Sequence, residues 1–99
     1  MKVYIIGKIT GNPDYLEQFA AVEKMLIKEG FETVNPAEIL KTLPKETTHE
    51  EYMKKSFELI KTCNAVYAQY NWLNSEGGKQ EFDYASEHNY IVMMGGDHD

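Results

Sequence analysis

Apolar positions along the chain follow two alternating rhythms. Lys2 to Ile6 (KVYII) is a continuous β-rich run that stops at Gly7, as expected of a strand covered on both faces. A helical period follows. Tyr15, Phe19, Val22 and Leu26 lie three or four residues apart, which gathers them on one face of a helix. Asn12-Pro13 predicts its start, as an N-cap followed by proline at the first helical position, and Gly30 predicts its stop. FETV (31–34) predicts a second strand ended by Asn35-Pro36. Residues 37–47, with Pro44 at their centre, show no period and read as an irregular, mobile connection. Thr48 and Glu51 have the spacing of a capping box, opening a helix to about Cys63 with Met53, Phe57 and Ile60 inward. AVYAQY (65–70) predicts the third strand, residues 78–88 the last helix and YIVMM (90–94) the fourth strand. GGDHD (95–99) reads as a flexible tail.

Strands alternating with helices predict an α/β fold, a three-layer sandwich around a parallel sheet of about four strands with right-handed crossovers. Ninety-nine residues suffice for one core, so residues 1–94 are read as a single domain. Burial is modest at this size, which predicts that another subunit covers part of the apolar surface, in a homodimer or higher homo-oligomer. In open parallel sheets ligands sit beyond the carboxyl ends of the strands, where strand order switches. That rule brings two loops together, residues 7–12 after the first strand and 71–78 after the third.

Composition narrows the ligand. The chain is 42% hydrophobic and 26% charged, ordinary globular material. A net charge of −6 argues against tracking the phosphates of a nucleic acid polymer, yet permits a small anion held by backbone N–H groups. Cys63 is the single cysteine, which excludes an intrachain disulfide and fits a reducing cytoplasm. The apolar run at the start is far too short for a signal peptide or a membrane span. His49, His88 and His98 show no metal-ligand spacing, and no metal or cofactor is predicted.

The two loops carry the candidate chemistry. In GKITGN, Gly7 and Gly11 let the backbone turn sharply, and the N-terminus of the next helix points at the same space. Lys8 stands where it can meet a phosphate. The plain alternative is a tight strand-to-helix turn. In NSEGGKQEF (74–82), Ser75 offers a hydroxyl, Gly77 and Gly78 allow close approach, and Glu81 is expected to face the ligand from the first helical turn. There the helix dipole is expected to hold the carboxylate ionised, as suits a nucleophile. A lone carboxylate can attack an anomeric carbon, forming a covalent glycosyl-enzyme that water or a second base resolves. The plain alternative is a helix-stabilising glutamate. Trp72 is read either as a base-stacking side chain or as an aromatic lid over the core.

YIIGKIT-G (4–11) resembles the Tyr-x-x-Gly-x-Ile-x-Gly opening of the deoxynucleoside 5′-monophosphate N-glycosidases, and SEGGKQE (75–81) resembles their Ser-x-Gly-x-x-x-Glu segment. Both belong to the nucleoside 2-deoxyribosyltransferase superfamily, with a Rossmann-like sandwich. GFETVNPAEI and EEYMKKSFELIKTCNAVY are similar to a small, largely uncharacterised branch found in phage and bacteria. The resemblance spans nearly all of residues 1–93. It implies Glu81 as the nucleophile toward the deoxyribose C1′ and Tyr4 as the group that orients it. It implies Ser75 as a phosphate-binding serine, where the free-nucleoside transferases carry aspartate. Gly7, Ile9, Thr10 and Gly11 then form the cradle of a 5′-phosphorylated nucleotide, in a cytoplasmic homodimer whose neighbouring subunit closes the site.

One departure stands out. Where active relatives carry an aspartate that assists departure of the base, this chain has Ser56, and a second family aspartate is replaced by Asn64. A serine hydroxyl does not protonate a base usefully at neutral pH, and losing a general acid removes a contribution of ~10²–10⁴ in rate. Glu58 points to another helical face, and no substitute is evident. Two functions therefore follow: hydrolase or transferase chemistry on the N-glycosidic bond of a 2′-deoxynucleoside 5′-monophosphate, or, alternatively, an impaired pocket that holds or sequesters a nucleotide or nucleotide-derived signal.

Overall fold

The computed structural model describes residues 1–95; the tail expected at 95–99 lies, apart from Gly95, outside the described residues. Strand β1 (Lys2–Ile6) is followed by α1 (Tyr15–Lys28), β2 (Glu32–Val34), α2 (Pro36–Leu40), α3 (His49–Ile60), β3 (Ala65–Ala68), a 3₁₀ turn at Trp72–Asn74, α4 (Glu76–Glu87) and β4 (Ile91–Met94). The four strands are parallel, in the order β2-β1-β3-β4. Val3 pairs with Thr33 on one side and Ala65 on the other. The chain builds outward from β1 to β2, then crosses back to β3, so the order reverses between β1 and β3.

The period-2 side-chain alternation of β1 divides the core in two. Val3 and Ile5 face a cluster with Phe19, Val22 and Leu26 of α1 and Ala37 of α2. Tyr4 and Ile6 face the opposite cluster, with Ile60 of α3 and Ala85 of α4. Helices thus cover both faces of the sheet, and the α/β sandwich expected from the sequence is the one observed.

The element ends differ in instructive ways. Helix α1 begins at Tyr15, after Asp14, with no side-chain cap. Asn12 instead bonds Lys8 O and Gln18 Oε1, so the Asn-Pro pair makes a turn there. The second Asn-Pro pair does start a helix: Asn35 Oδ1 accepts from Ala37 N at 3.1 Å and Glu38 N at 3.4 Å, Pro36 takes the first helical position, and Ala37 and Leu40 are buried. Residues 36–40, read as irregular, are therefore ordered by a cap and two apolar anchors. The capping box at Thr48 and Glu51 is present. Gly30, at φ +92°, stops α1 in the left-handed region that glycine favours. Helix α4 begins at Glu76, two residues earlier than expected, because Ser75 caps it.

Gly7 sits where the two candidate loops converge. A Cβ built there comes within 2.3 Å of Gln69 Nε2 and 3.1 Å of Phe19 Cζ, both on buried side chains. Gly7→Ala is expected to lower stability by about 1–3 kcal/mol through overpacking. Combining it with Gln69→Ala, which opens space, should give a loss smaller than the sum of the single losses in denaturant titrations. Additive losses would show that Gln69 is not the obstacle.

Candidate active site

The parity of β1 sends Tyr4 toward α3 and α4, where it is fully buried. On α4, Gly78, Glu81 and Ala85 form the buried face, at the i, i+3, i+7 spacing of one helical stripe. The two requirements meet: the Tyr4 hydroxyl donates a hydrogen bond to Glu81 Oε2 across 77 residues of sequence. Ser56, only 4% exposed, lies beside the Tyr4 phenol and acts to lower its value, against the effect of burial. The order along the floor is Ser56, Tyr4, Glu81.

Electrostatics here depart from the sequence expectation. Glu81 lies five residues past the first residue of α4, in its second turn, and the dipole acts mainly on the first. Withdrawal from water dominates instead, raising the Glu81 carboxyl to about 7, with the Tyr4 hydrogen bond pulling the other way. Burial, then the nearby Glu81 charge, pushes the Tyr4 phenol well above its ordinary value. The carboxylate is therefore not held ionised but balanced near neutrality.

Above this floor opens a cleft of about 560 Å³, within the size range of small-molecule sites. His49, Tyr52, Met53 and Ser56 form its α3 wall. Gly7 to Thr10, then Pro36, Leu40 and Lys41 around α2, and Asn74 to Gly78 complete it. Asn71 Oδ1 accepts from Lys8 N at 3.2 Å, and Asn12 Nδ2 donates to Lys8 O at 2.9 Å, so side chains from both sides clamp the first loop. Ser75 Oγ accepts from Gly78 N at 2.9 Å, leaving its own proton to donate. The N–H groups of Glu76 and Gly77 have no partner within the helix, the condition for anion binding at an N-terminus.

Of the residues expected at the site, Tyr4, Gly7, Lys8, Ile9, Thr10, Ser56, Ser75, Gly77, Gly78 and Glu81 line this cleft. Gly77 and Gly78 have packing reasons as well: a Cβ on Gly77 would meet Met53 Sδ at 2.8 Å, and one on Gly78 the Trp72 carbonyl at 3.0 Å. Two expected residues stand elsewhere. Gly11, at φ +75°, turns the chain beyond the cleft. Trp72 stacks on Phe82, with ring centroids 4.0 Å apart at 14°, and joins the core cluster on the α4 side; it is the lid over the core and not a base platform. Asn64 accepts from Lys2 N at 2.9 Å, at the amino end of the sheet away from the cleft. Asn64 is therefore not among the residues that line the cleft.

Apart from Ser56, the α2 and α3 walls are not evident in the sequence: Lys41 falls in a stretch without periodicity, and Met53 reads as core. Ser56, one turn beyond Met53 on the same helical face, was the signal that this stripe borders a polar cleft. Among the described residues, no group of three or more His, Cys, Asp or Glu side chains is arranged to hold a metal ion. No helix among them is long and apolar enough to cross a membrane.

The raised Glu81 value has a definite sign. Below its ordinary range near 4.5 the carboxyl is protonated both folded and unfolded. Between about pH 4.5 and 7 the unfolded chain ionises first and stability is lost, by an amount on the order of 3 kcal/mol once both are ionised. Glu81→Gln is accordingly expected to raise the melting temperature more at pH 8 than at pH 4.5; a gap independent of pH would refute the shift. Removing the Tyr4 hydrogen bond with Tyr4→Phe should move the Glu81 midpoint upward, as followed by carboxyl-carbon NMR. A downward movement would mean that Tyr4 does not stabilise the charged form.

Comparison with known proteins adds a family and a fold. No curated protein matches the sequence. A solved 2-deoxyribosyltransferase from Bacillus psychrosaccharolyticus, described as a biocatalyst for synthesis of antiviral and antitumoral nucleosides, superposes with a TM-score of 0.74 at 19% identity. The match covers 95% of this chain and 71% of that one, so the two share a fold. The family profile described as a domain of unknown function (DUF4406) matches residues 1–94, and the chain belongs to that family.

Proposed function

We propose that this protein cleaves or exchanges the N-glycosidic bond of 2′-deoxynucleoside 5′-monophosphates, with Glu81 as nucleophile and Tyr4 orienting it. The observation that carries the reading is a buried carboxylate, hydrogen-bonded on one oxygen to Tyr4, on the floor of a cleft whose wall includes a capped helix N-terminus. Likeness in fold to a 2-deoxyribosyltransferase supports glycosyl chemistry on nucleosides. Ser75 and the first turn of α4 favour the phosphorylated form, since backbone N–H groups and a hydroxyl suit phosphate oxygens.

The chemistry follows from the geometry. Tyr4 holds one carboxylate oxygen and leaves the other for C1′. With the carboxyl balanced near pH 7, an ionised fraction exists at neutral pH and remains nucleophilic because few donors solvate it. Attack forms the C1′–O bond of a glycosyl ester as the C1′–N bond breaks, its electron pair passing to the base. Water, or a second base in exchange, then attacks C1′ and returns the carboxylate. Phosphate held at α4 fixes the sugar, converting binding into positioning.

The test is base release from a panel of deoxynucleoside monophosphates, read by chromatography. Release is expected to fall by at least about 10³-fold in Glu81→Ala. Ser75→Ala should raise KM for monophosphates and leave that for unphosphorylated deoxynucleosides unchanged. Release that survives Glu81→Ala would remove Glu81 as nucleophile, whereas saturable nucleotide binding without release would make the cleft a binding site.

A further inference from the structure

A nucleophile alone does not complete the N-glycosidic reaction, because the departing base must also be neutralised. The floor supplies no donor for that. Ser56 is too weak an acid, and the Tyr4 proton is engaged by Glu81. Among the described residues the imidazole that lines the cleft is that of His49, a side-chain type that serves as a general acid.

Its position is set by helix α3. His49 is the first residue of that helix, and Tyr52, Met53 and Ser56 share its cleft-facing stripe. The stripe runs from rim to floor over about 10 Å of helix axis. Were a sugar to seat its C1′ at Glu81, a base lying along Tyr52 and Met53 would turn its far edge toward His49. Resting on the N-glycosidic reading above, we propose that His49 is the general acid that protonates the leaving base, standing in for the donor that Ser56 cannot provide.

The step balances. Glu81 carboxylate bonds to C1′, the C1′–N pair goes to the base, and the imidazolium N–H passes its proton to a ring nitrogen or carbonyl oxygen of that base. When water attacks C1′ and the ester C1′–O bond breaks, the neutral imidazole takes the proton released, restoring both groups. The charged and titratable groups sharing the cleft wall with His49 are Tyr52 on its own helix, Lys41 after α2, Lys8 and Tyr15 across the cleft, and Glu76 at the start of α4. Lys41 is paired with Glu38 at 2.7 Å. Beside His49 on α3, the Glu51 carboxylate is occupied by the Thr48 backbone and hydroxyl.

The experiment compares two leaving groups in wild type, His49→Gln and Glu81→Ala. One is the natural base of the best deoxynucleoside monophosphate; the other is 4-nitrophenolate on 2-deoxyribose 5-phosphate, which departs without a proton. His49→Gln should lose about 10²–10⁴-fold on the natural base, flatten the alkaline limb of its kcat/KM profile, and keep the wild-type single-turnover rate of nitrophenolate release, the step that needs no acid. Glu81→Ala should lose both. Equal rates for His49→Gln and wild type on the natural base, or equal losses on both substrates, overturn His49 as the acid while leaving Glu81 standing. A wild type that releases neither group overturns the N-glycosidic reading and this proposal with it.

Discussion

The Tyr4–Glu81 hydrogen bond is the contact on which the site depends. An ionised carboxylate withdrawn from water loses several kcal/mol of solvation unless a donor replaces it, and the phenol is the donor that this floor offers. The bond also joins β1 to α4, elements at opposite ends of the chain. It requires the even-numbered face of β1 and the 78/81/85 face of α4 to meet, so strand parity and helix phase are fixed by one pair. A one-residue slip of β1 would turn Tyr4 to the α1 side and leave the Glu81 carboxylate buried without its partner.

The surrounding fold can be seen as a means of holding that pair at the edge of a cavity. Reversal of strand order between β1 and β3 leaves a crevice at their carboxyl ends, as topology demands. Asn12 and Asn71 clamp the first loop from two sides, while Ser75 starts α4 in the right phase to bring Glu81 inward. Gly77 lets α4 approach Met53 of α3, closing one wall. Tight packing and an open cleft are thus the work of the same residues.

Much of this was legible in the sequence because it is written in local signals. Runs of apolar residues, a capping box and glycine stops gave the order of elements and, through topology, the two loops. Ser75 and Glu81 stand out in the second loop, whereas Tyr4 is singled out only by the resemblance to a known family. What escaped were consequences of tertiary packing. Asn12-Pro13 and Asn35-Pro36 look alike, yet only the second caps a helix, because Ala37 and Leu40 have a core to enter and Asn12 has Lys8 O and Gln18 to bond. Trp72 reads equally well as a base platform or a core lid until Phe82 is seen beneath it. The ionisation of Glu81 was misjudged because a dipole is visible in a helix start, while desolvation depends on neighbours that the sequence does not name.

On the proposed reading, the distribution of charge bears on where the phosphate of the ligand would sit. The chain as a whole carries 16 acidic and 10 basic side chains, but the cleft wall presents Lys8, Lys41 and His49 against Glu76 and Glu81. With Lys41 paired to Glu38, the cleft wall comes closer to balance than the acidic chain as a whole, which lessens the repulsion of an anionic ligand. A phosphate beside Glu81 nonetheless brings a like charge toward a carboxylate already raised by burial, and would disfavour the ionised form that attack requires. Seating the phosphate on the N–H groups of α4 and the Ser75 hydroxyl answers this, since the positive end of the helix offsets its charge before it reaches the floor. On the proposed reading, Ser75 at the cap and Glu81 in the second turn of α4 would keep the phosphate apart from the carboxylate that attacks the sugar.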